Sequence, residues 1–231
     1  VLESAMMASN VHARAISIMY DMVGMTAGTS AEVVLNDARQ LVQKYNLMDR
    51  SKGQRYLLYH NGKPLIGLVS VGQNSASYTV AQAQAIVDGL QEMGFSIMLG
   101  VPAYWRSANG HGDVVNDPMI IELIKDVDII MPWLVGAYDY DGTVPTTPRG
   151  SFADFFNDRI IDDFTAAESY GVDFCPLIFP GFSDRNMHPD HYVYDRHSGN
   201  FYWQQIYKFI NQGAKMLYVA MFDEIDEGTA I

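Results

Sequence analysis

Met216-Leu217-Tyr218-Val219-Ala220-Met221 runs directly into Phe222-Asp223-Glu224-Ile225-Asp226-Glu227-Gly228-Thr229. A short apolar run of this kind predicts a buried strand. The four carboxylates Asp223, Glu224, Asp226 and Glu227 fall within five residues at its C-terminal end. In α/β proteins that end of a strand is where active sites are built. Crowded carboxylates cannot all ionise easily. Like-charge repulsion raises at least one pKa, and a pair with separated pKa values supplies one acid and one base.

Working outward from this stretch, strand-like and helix-like segments alternate. Residues 1–13 read as the end of a helix and 15–21 as a strand ending in Tyr20-Asp21. Ser30 caps an amphipathic helix with Val33, Val34, Ala38, Leu41, Val42 and Tyr45 at helical spacing. Runs 56–60 and 64–71 flank Asn61-Gly62, a hairpin signal, with the second run the core strand. Thr79 caps a helix over 80–93 that Gly94 closes. A strand over 95–101, a helix over 118–125 and a strand over 127–135 follow. Residues 152–170 predict one long helix closed by Gly171, then a strand over 172–179. A helix over 202–211 is ended by Gly213, and 215–223 is the last strand. Six core strands with a helix between each pair predict a parallel sheet and an α/β fold. Two architectures fit: a (β/α)8 TIM-type barrel with six of its eight βα units in this chain, or a doubly wound open sheet. No G-x-G-x-x-G follows an early strand and no P-loop occurs, so the open sheet has no nucleotide fingerprint. The segments after the strands are long and rich in aromatic and polar residues, whereas those before them are short. That asymmetry is what a barrel with its active face at the strand C-termini should show. No Pro/Gly/Ser linker divides the chain, so 1–231 is expected to be a single catalytic-type domain. The chain starts at Val1 rather than Met, and its N-terminal strands are expected to be missing from it.

The composition narrows the partners. The chain has 231 residues, is 48% hydrophobic and carries a formal charge of −12. With only 15 Lys and Arg, no cluster is available to neutralise phosphates, which argues against nucleic acid and polyanions. A neutral carbohydrate fits better. No apolar run reaches the length of a membrane span, no cofactor is implied, and the oligomeric state is left open. The lone Cys175 lies in an apolar run and is expected to be a small buried hydrophobe.

The segments at the strand ends supply the binding candidates: Tyr20 and Asp21; Tyr104, Trp105 and Arg106; Trp133 and Tyr138; Phe182; and Asp223 and Asp226 within the acidic stretch. Trp and Tyr rings stack on the apolar faces of sugars while acids bond the hydroxyls. Trp203 opens a helix and is expected to pack. Glu224 and Glu227 are three apart, and a turn at Asp226-Glu227-Gly228 would let both face one cleft. Paired carboxylates flanking a glycosidic bond are the usual machinery of its hydrolysis. Two metal patterns are weaker. His188-Pro189-Asp190-His191, with Asp195 and His197, lacks the helical H-x-x-x-H spacing and reads as a polar surface loop. Asp139-Tyr140-Asp141-Gly142 lacks the third acid and distal Glu of a calcium loop.

On these residues the chain resembles a known family. Asp223-Glu224-Ile225-Asp226-Glu227-Gly228-Thr229 is similar to the Asn-Glu-Trp-x-Glu-Gly-Thr signature of glycoside hydrolase family 99, which contains endo-acting α-mannosidases and mannanases. Gly100-Val101-Pro102-Ala103-Tyr104-Trp105-Arg106, Pro132-Trp133-Leu134-Val135-Gly136 and Phe179-Pro180-Gly181-Phe182 resemble family 71/99-like proteins. The resemblance implies a (β/α)8 barrel and a retaining, secreted or periplasmic glycosidase of polysaccharides. It also implies that Glu224 acts as base on the sugar 2-hydroxyl and Glu227 as general acid, then base. The chain departs from the signature at Asp223, where the family has Asn, and at Ile225, where it has Trp. A carbohydrate-binding barrel without turnover is the competing expectation.

Overall fold

A computed structural model describes residues 1–49, 57–144 and 150–231. The expected strand start at Tyr56 lies outside the described residues. The chain divides into two compact units, Val1–Ile129 and Ile130–Ile231.

In the first unit, α1 (Leu2–His12) precedes β1 (Ile18–Asp21). Helix α2 (Glu32–Tyr45) buries Val34, Leu35 and Ala38. The N-cap position is Ala31, one residue after the expected Ser30, whose hydroxyl accepts the Glu32 backbone N–H at 3.2 Å. Val33, expected on the apolar stripe, is instead exposed, because it lies beside Val34 rather than a turn away from it. Strands β2 (Tyr59–His60) and β3 (Lys63–Val69) form the expected antiparallel hairpin. Asn61 and Gly62 both have positive φ, 48° and 81°, as a two-residue turn matched to strand twist requires. Helix α3 (Val80–Glu92) begins with a complete capping box between Thr79 and Gln82. Strand β4 (Ser96–Val101) is buried throughout. β3 lies between β1 and β4 and runs parallel to both. With both faces covered, β3 and β4 are apolar on both sides, which is why the sequence shows runs there rather than alternation. Helix α4 (Met119–Lys125) completes the unit.

In the second unit, β5 (Ile129–Pro132) is followed by a helix that is not uniform. Phe152–Phe155 (α5) and Ile161–Tyr170 (α6) are joined by a π-helical turn over Phe156–Ile160. The expected strand over 172–179 is likewise split, into β6 (Asp173–Phe174) and β7 (Leu177–Ile178). Pro176 has no N–H to continue a ladder. The Cys175 N–H still bonds the Ile130 carbonyl at 2.9 Å, so β6 stays with β5, while the Pro176 carbonyl takes the Tyr218 N–H at 3.1 Å. Helix α7 (Asn200–Gln212) leads to β8 (Tyr218–Val219), which runs parallel to β7 with Leu177 opposite Tyr218.

The last strand is shorter and more exposed than expected. Only Ala220 is fully buried, and Val219 is exposed. β7 is the only strand that β8 pairs with among the described residues, so one edge lacks the cover a central strand has. Trp203 corrects a second expectation. It is 66% exposed, because the buried face of α7 is the Phe201, Gln205, Phe209 stripe and position 203 points away from it. The predicted alternation of strands and helices is otherwise present in order.

Candidate active site at the last strand

The acidic stretch leaves β8 and folds back on itself. The Gly228 N–H bonds the Ile225 carbonyl at 3.1 Å, and the Ala230 N–H bonds the Glu224 carbonyl at 2.9 Å. This turn leaves Phe222, Asp223, Ile225 and Asp226 exposed, whereas Glu224 and Glu227 are half-buried. Spacing by three, with a turn between, therefore separates two sheltered acids from two solvated ones.

The loop after β7 clamps this turn. The Ser183 N–H donates to the Glu227 carbonyl at 2.7 Å. Arg196 donates through Nη2 to the carbonyls of Gly228 at 2.9 Å and Ala230 at 2.6 Å. Gly228 has φ +62°, and a Cβ there would lie 3.1 Å from the Ser183 backbone nitrogen and 3.2 Å from its oxygen. Both the left-handed backbone and the close approach demand glycine. Gly228→Ala is expected to lower stability by about 1–2 kcal/mol and to displace Glu227; unchanged denaturant midpoints would show that the clamp is dispensable.

Burial and neighbouring charge act on Glu227. Burial raises the Glu227 pKa above its ordinary value, and the charges of Glu224 and Asp184 push it the same way. Glu227 thus keeps its proton more readily than a free side chain, the property a general acid needs. The shift also links to stability. The folded pKa lies above the ordinary value of 4.5, so Glu227 favours the fold below that pH and the contribution is lost as pH rises through the folded pKa. Glu227→Gln should therefore raise the melting temperature relative to wild type more at about pH 7 than at about pH 4; an equal difference at both would contradict the shift.

The other sequence candidates fall into three situations. Tyr20 is half-buried and its hydroxyl donates to Asp37 Oδ2 at 2.7 Å, while the Asp21 side chain accepts the Val23 N–H at 3.0 Å. Tyr104, Arg106, Trp133 and Phe182 are half-buried. Asp113 holds the Tyr104 segment by accepting the Ala103 and Tyr104 N–H groups, each at 2.9 Å. Trp105 and Tyr138, expected to offer rings to a sugar, are instead fully buried. Trp105 lies within a tight turn in which its N–H bonds the Pro102 carbonyl at 3.1 Å. Tyr138 packs against Phe152, Phe155, Phe179 and Phe201, with centroids 5.0–6.1 Å away. An aromatic ring among four phenylalanines is core, whatever its suitability for sugars.

The two metal-like patterns resolve into local structure. Asp139 is buried and accepts the N–H groups of Gly142 and Val144, which makes it the pivot of its own turn. His188 and His191 stack at 4.7 Å on the loop after β7, and His191 Nδ1 lies 2.8 Å from Asp184 Oδ2. Among the described residues no group of three or more His, Cys, Asp or Glu is placed to hold a metal. Cys175 is buried, and burial pushes its thiol up to about 12.

Asp184, Arg196, Asp113 and Gln205 carry positioning roles that the sequence did not single out. Gln205 is fully buried on α7. Its Nε2 donates to the Phe179 and Phe201 carbonyls, and its Oε1 accepts from the Phe179 N–H at 3.2 Å and from the Tyr138 hydroxyl at 3.3 Å. A polar residue on the apolar face of a helix is the one signal that pointed to it.

Taken with the order of its elements, the chain has the fold of an incomplete (β/α)8 barrel, not closed by the described residues, with acids at the C-terminal end of its last strand. Solved structures share that fold. A GH99 endo-α-mannosidase from Bacteroides thetaiotaomicron matches with a TM-score of 0.69 over 99% of this chain and 59% of that one, at 17% identity. The same enzyme in complex with bis-tris propane matches with 0.69 over 99% and 62%, at 15% identity. A glycoside hydrolase-like protein matches with 0.51 over 90% and 60%, at 13% identity. The chain spans about three fifths of the length of each. At such identities the likeness is one of fold. No protein-family model and no curated protein matches the sequence.

Proposed function

We propose that this chain carries the catalytic part of a glycoside hydrolase, a single barrel domain over 1–231 that cleaves a neutral polysaccharide or glycan through Glu224 and Glu227. The observation that carries this reading is that both are half-buried at the end of β8, with Glu227 held toward its protonated form by burial and by Glu224. In a retaining scheme Glu224 takes the proton of the sugar 2-hydroxyl, and that oxygen attacks the anomeric carbon. Glu227 gives its proton to the leaving oxygen. As a carboxylate it then takes a proton from the water that attacks the same carbon; the bond from that carbon to the 2-oxygen breaks, and Glu224 returns its proton to the 2-oxygen. The half-buried Tyr20, Tyr104, Arg106, Trp133 and Phe182, with Asp21, Asp223 and Asp226, are the groups offered to the sugar. The endo-α-mannosidase among the structural neighbours makes α-mannan the first substrate to try, and extracellular or periplasmic placement suits a polymeric substrate. Among the described residues no helix is long and apolar enough to cross a membrane.

A second reading, a carbohydrate-binding barrel without turnover, is favoured by the signature departures at Asp223 and Ile225, the latter 73% exposed. The test is incubation with α-mannans, α-glucans and xylans, with chromatography of products and a parallel binding assay. New reducing ends from one polymer support hydrolysis. Binding without products supports the second reading, and neither response overturns both.

A further inference from the structure

The loop after β7 encloses a cleft that the two catalytic acids do not line. Phe182, Asp184, Asp190, His191, Tyr192 and Tyr194 surround a volume of about 290 Å3, the lower end of the range of small-ligand sites. The loop is held in shape by its own hydrogen bonds. Phe182 and Tyr194 form an antiparallel bridge, with N–H to carbonyl distances of 3.2 and 2.8 Å. The Met187 and His188 N–H groups bond the Asp184 carbonyl at 2.9 and 2.8 Å, and Arg185 Nε bonds the His191 carbonyl at 2.7 Å. A pre-formed site loses little freedom when a ligand enters. Its walls are of two kinds. The Phe182 and Tyr194 rings meet edge to face at 5.5 Å, and the Tyr192 ring is exposed. The π face of such rings is negative and attracts the polarised C–H bonds of a sugar ring. The other wall accepts hydrogen bonds. Asp184, its side chain 13% exposed, holds His191 Nδ1 at 2.8 Å, whereas the His191 side chain is 57% exposed. An ionised Asp184 takes the Nδ1 hydrogen, which leaves Nε2 as an acceptor. The exposed Asp190 adds a carboxylate. Among the described residues no Lys or Arg lines this cleft, so an anion has no partner there.

We propose that this cleft is a binding subsite for one pyranose residue of a neutral glycan, apart from the bond that Glu224 and Glu227 cleave. The inference rests on the glycan reading of the site and gives the His188–His191 stretch a role that its sequence did not suggest. Aromatic faces beside acceptors suit a ligand with an apolar ring face and hydroxyl donors around its edge. Tyr192 supplies the stacking surface, while His191 Nε2 and the Asp190 carboxylate accept hydroxyls. Asp184 is a positioning residue that fixes the His191 ring. The cleft is also continuous with the acidic turn. A second cleft of about 290 Å3 shares Phe182 and Tyr194 with it and reaches Ser183, Arg196 and Gly228, the residue after Glu227. A glycan chain bound at the acids therefore has a lined route along the clamping loop.

The test reads the cleft directly, so it does not depend on turnover. The full chain is titrated with α-mannotriose, maltotriose, xylotriose and a glucosamine trimer, and the ring signals of His191 and Tyr192 are followed by NMR after assignment with His191→Gln and Tyr192→Phe. One neutral trisaccharide is expected to shift both rings, and Asp190→Ala and Tyr192→Ala should each weaken its binding about tenfold. Both replaced side chains are exposed, and the wild-type titration stands even if a variant does not fold. Unmoved rings with all three neutral trisaccharides, or a response to the cationic glucosamine trimer alone, overturn the proposal. In protein that cleaves a polymer, Tyr192→Ala should lower kcat/KM on that polymer about tenfold and leave the rate on a short aryl glycoside, which does not fill the cleft, unchanged. Ring shifts without cleavage of any polymer sink the hydrolytic reading and leave the subsite standing. Cleavage unaffected by both alanine variants sinks the subsite alone.

Discussion

Glu227→Gln is expected to lower kcat on an unactivated glycan by roughly 10²–10⁴-fold, the range that one general acid contributes, with the fold intact. The amide is nearly isosteric with the acid but cannot transfer a proton to the leaving oxygen. Glu227 is half-buried and its raised pKa means that the neutral form already fits the site, so the neutral amide should be accommodated. The effect should depend on the leaving group. An aryl glycoside with an acidic phenol departs without protonation, so its first step should be largely spared in Glu227→Gln. Glu224→Gln removes the base that activates the attacking oxygen and should be slow on both substrates. Single-turnover rates on the two substrate types separate these cases. Wild-type rates in both variants would remove the paired acids from the mechanism.

The second large effect is structural. Gln205→Leu should lower stability by about 3–5 kcal/mol, measured by denaturant unfolding, although leucine is similar in volume and more apolar. Leucine would strand the Phe179 N–H and carbonyl and the Tyr138 hydroxyl in a dry interior, at about 1–3 kcal/mol for each unsatisfied group. Adding Tyr138→Phe to Gln205→Leu should recover part of the loss, since it removes one stranded hydroxyl. Strict additivity of the two changes would show that the hydroxyl finds another partner. The consequence reaches the acids. Phe179 follows β7 directly and begins the segment that carries Ser183, whose N–H holds the Glu227 carbonyl. Loosening the Gln205 hydrogen bonds to Phe179 should therefore disturb the Glu227 environment as well as the core.

Legibility varied with the range of the interaction that decides each feature. The Thr79 cap and the Asn61-Gly62 turn act over two to four residues and are legible for that reason, whereas the Gln82 half of the capping box came from the structure. The split at Pro176 follows from a missing donor in the sequence, yet which strand each half joins depends on Ile130 and Tyr218 far along the chain. Trp105 and Tyr138 carry the residue types of a sugar site, and residue type alone does not distinguish a rim from a core. The four phenylalanine rings around Tyr138 come from α5, the end of β7 and α7, and only folding assembles them.

The sequence by itself determined the α/β alternation, the candidate acids and their division into a pair three residues apart, because periodicity, caps and turn chemistry are local properties. Tertiary structure decided how Glu227 is held toward its proton. That bias comes first from burial, then from Glu224 three residues away and from Asp184, which lies 43 residues before Glu227 in the chain. Electrostatic interaction depends on distance through space and on shelter from water, and neither can be counted along a sequence.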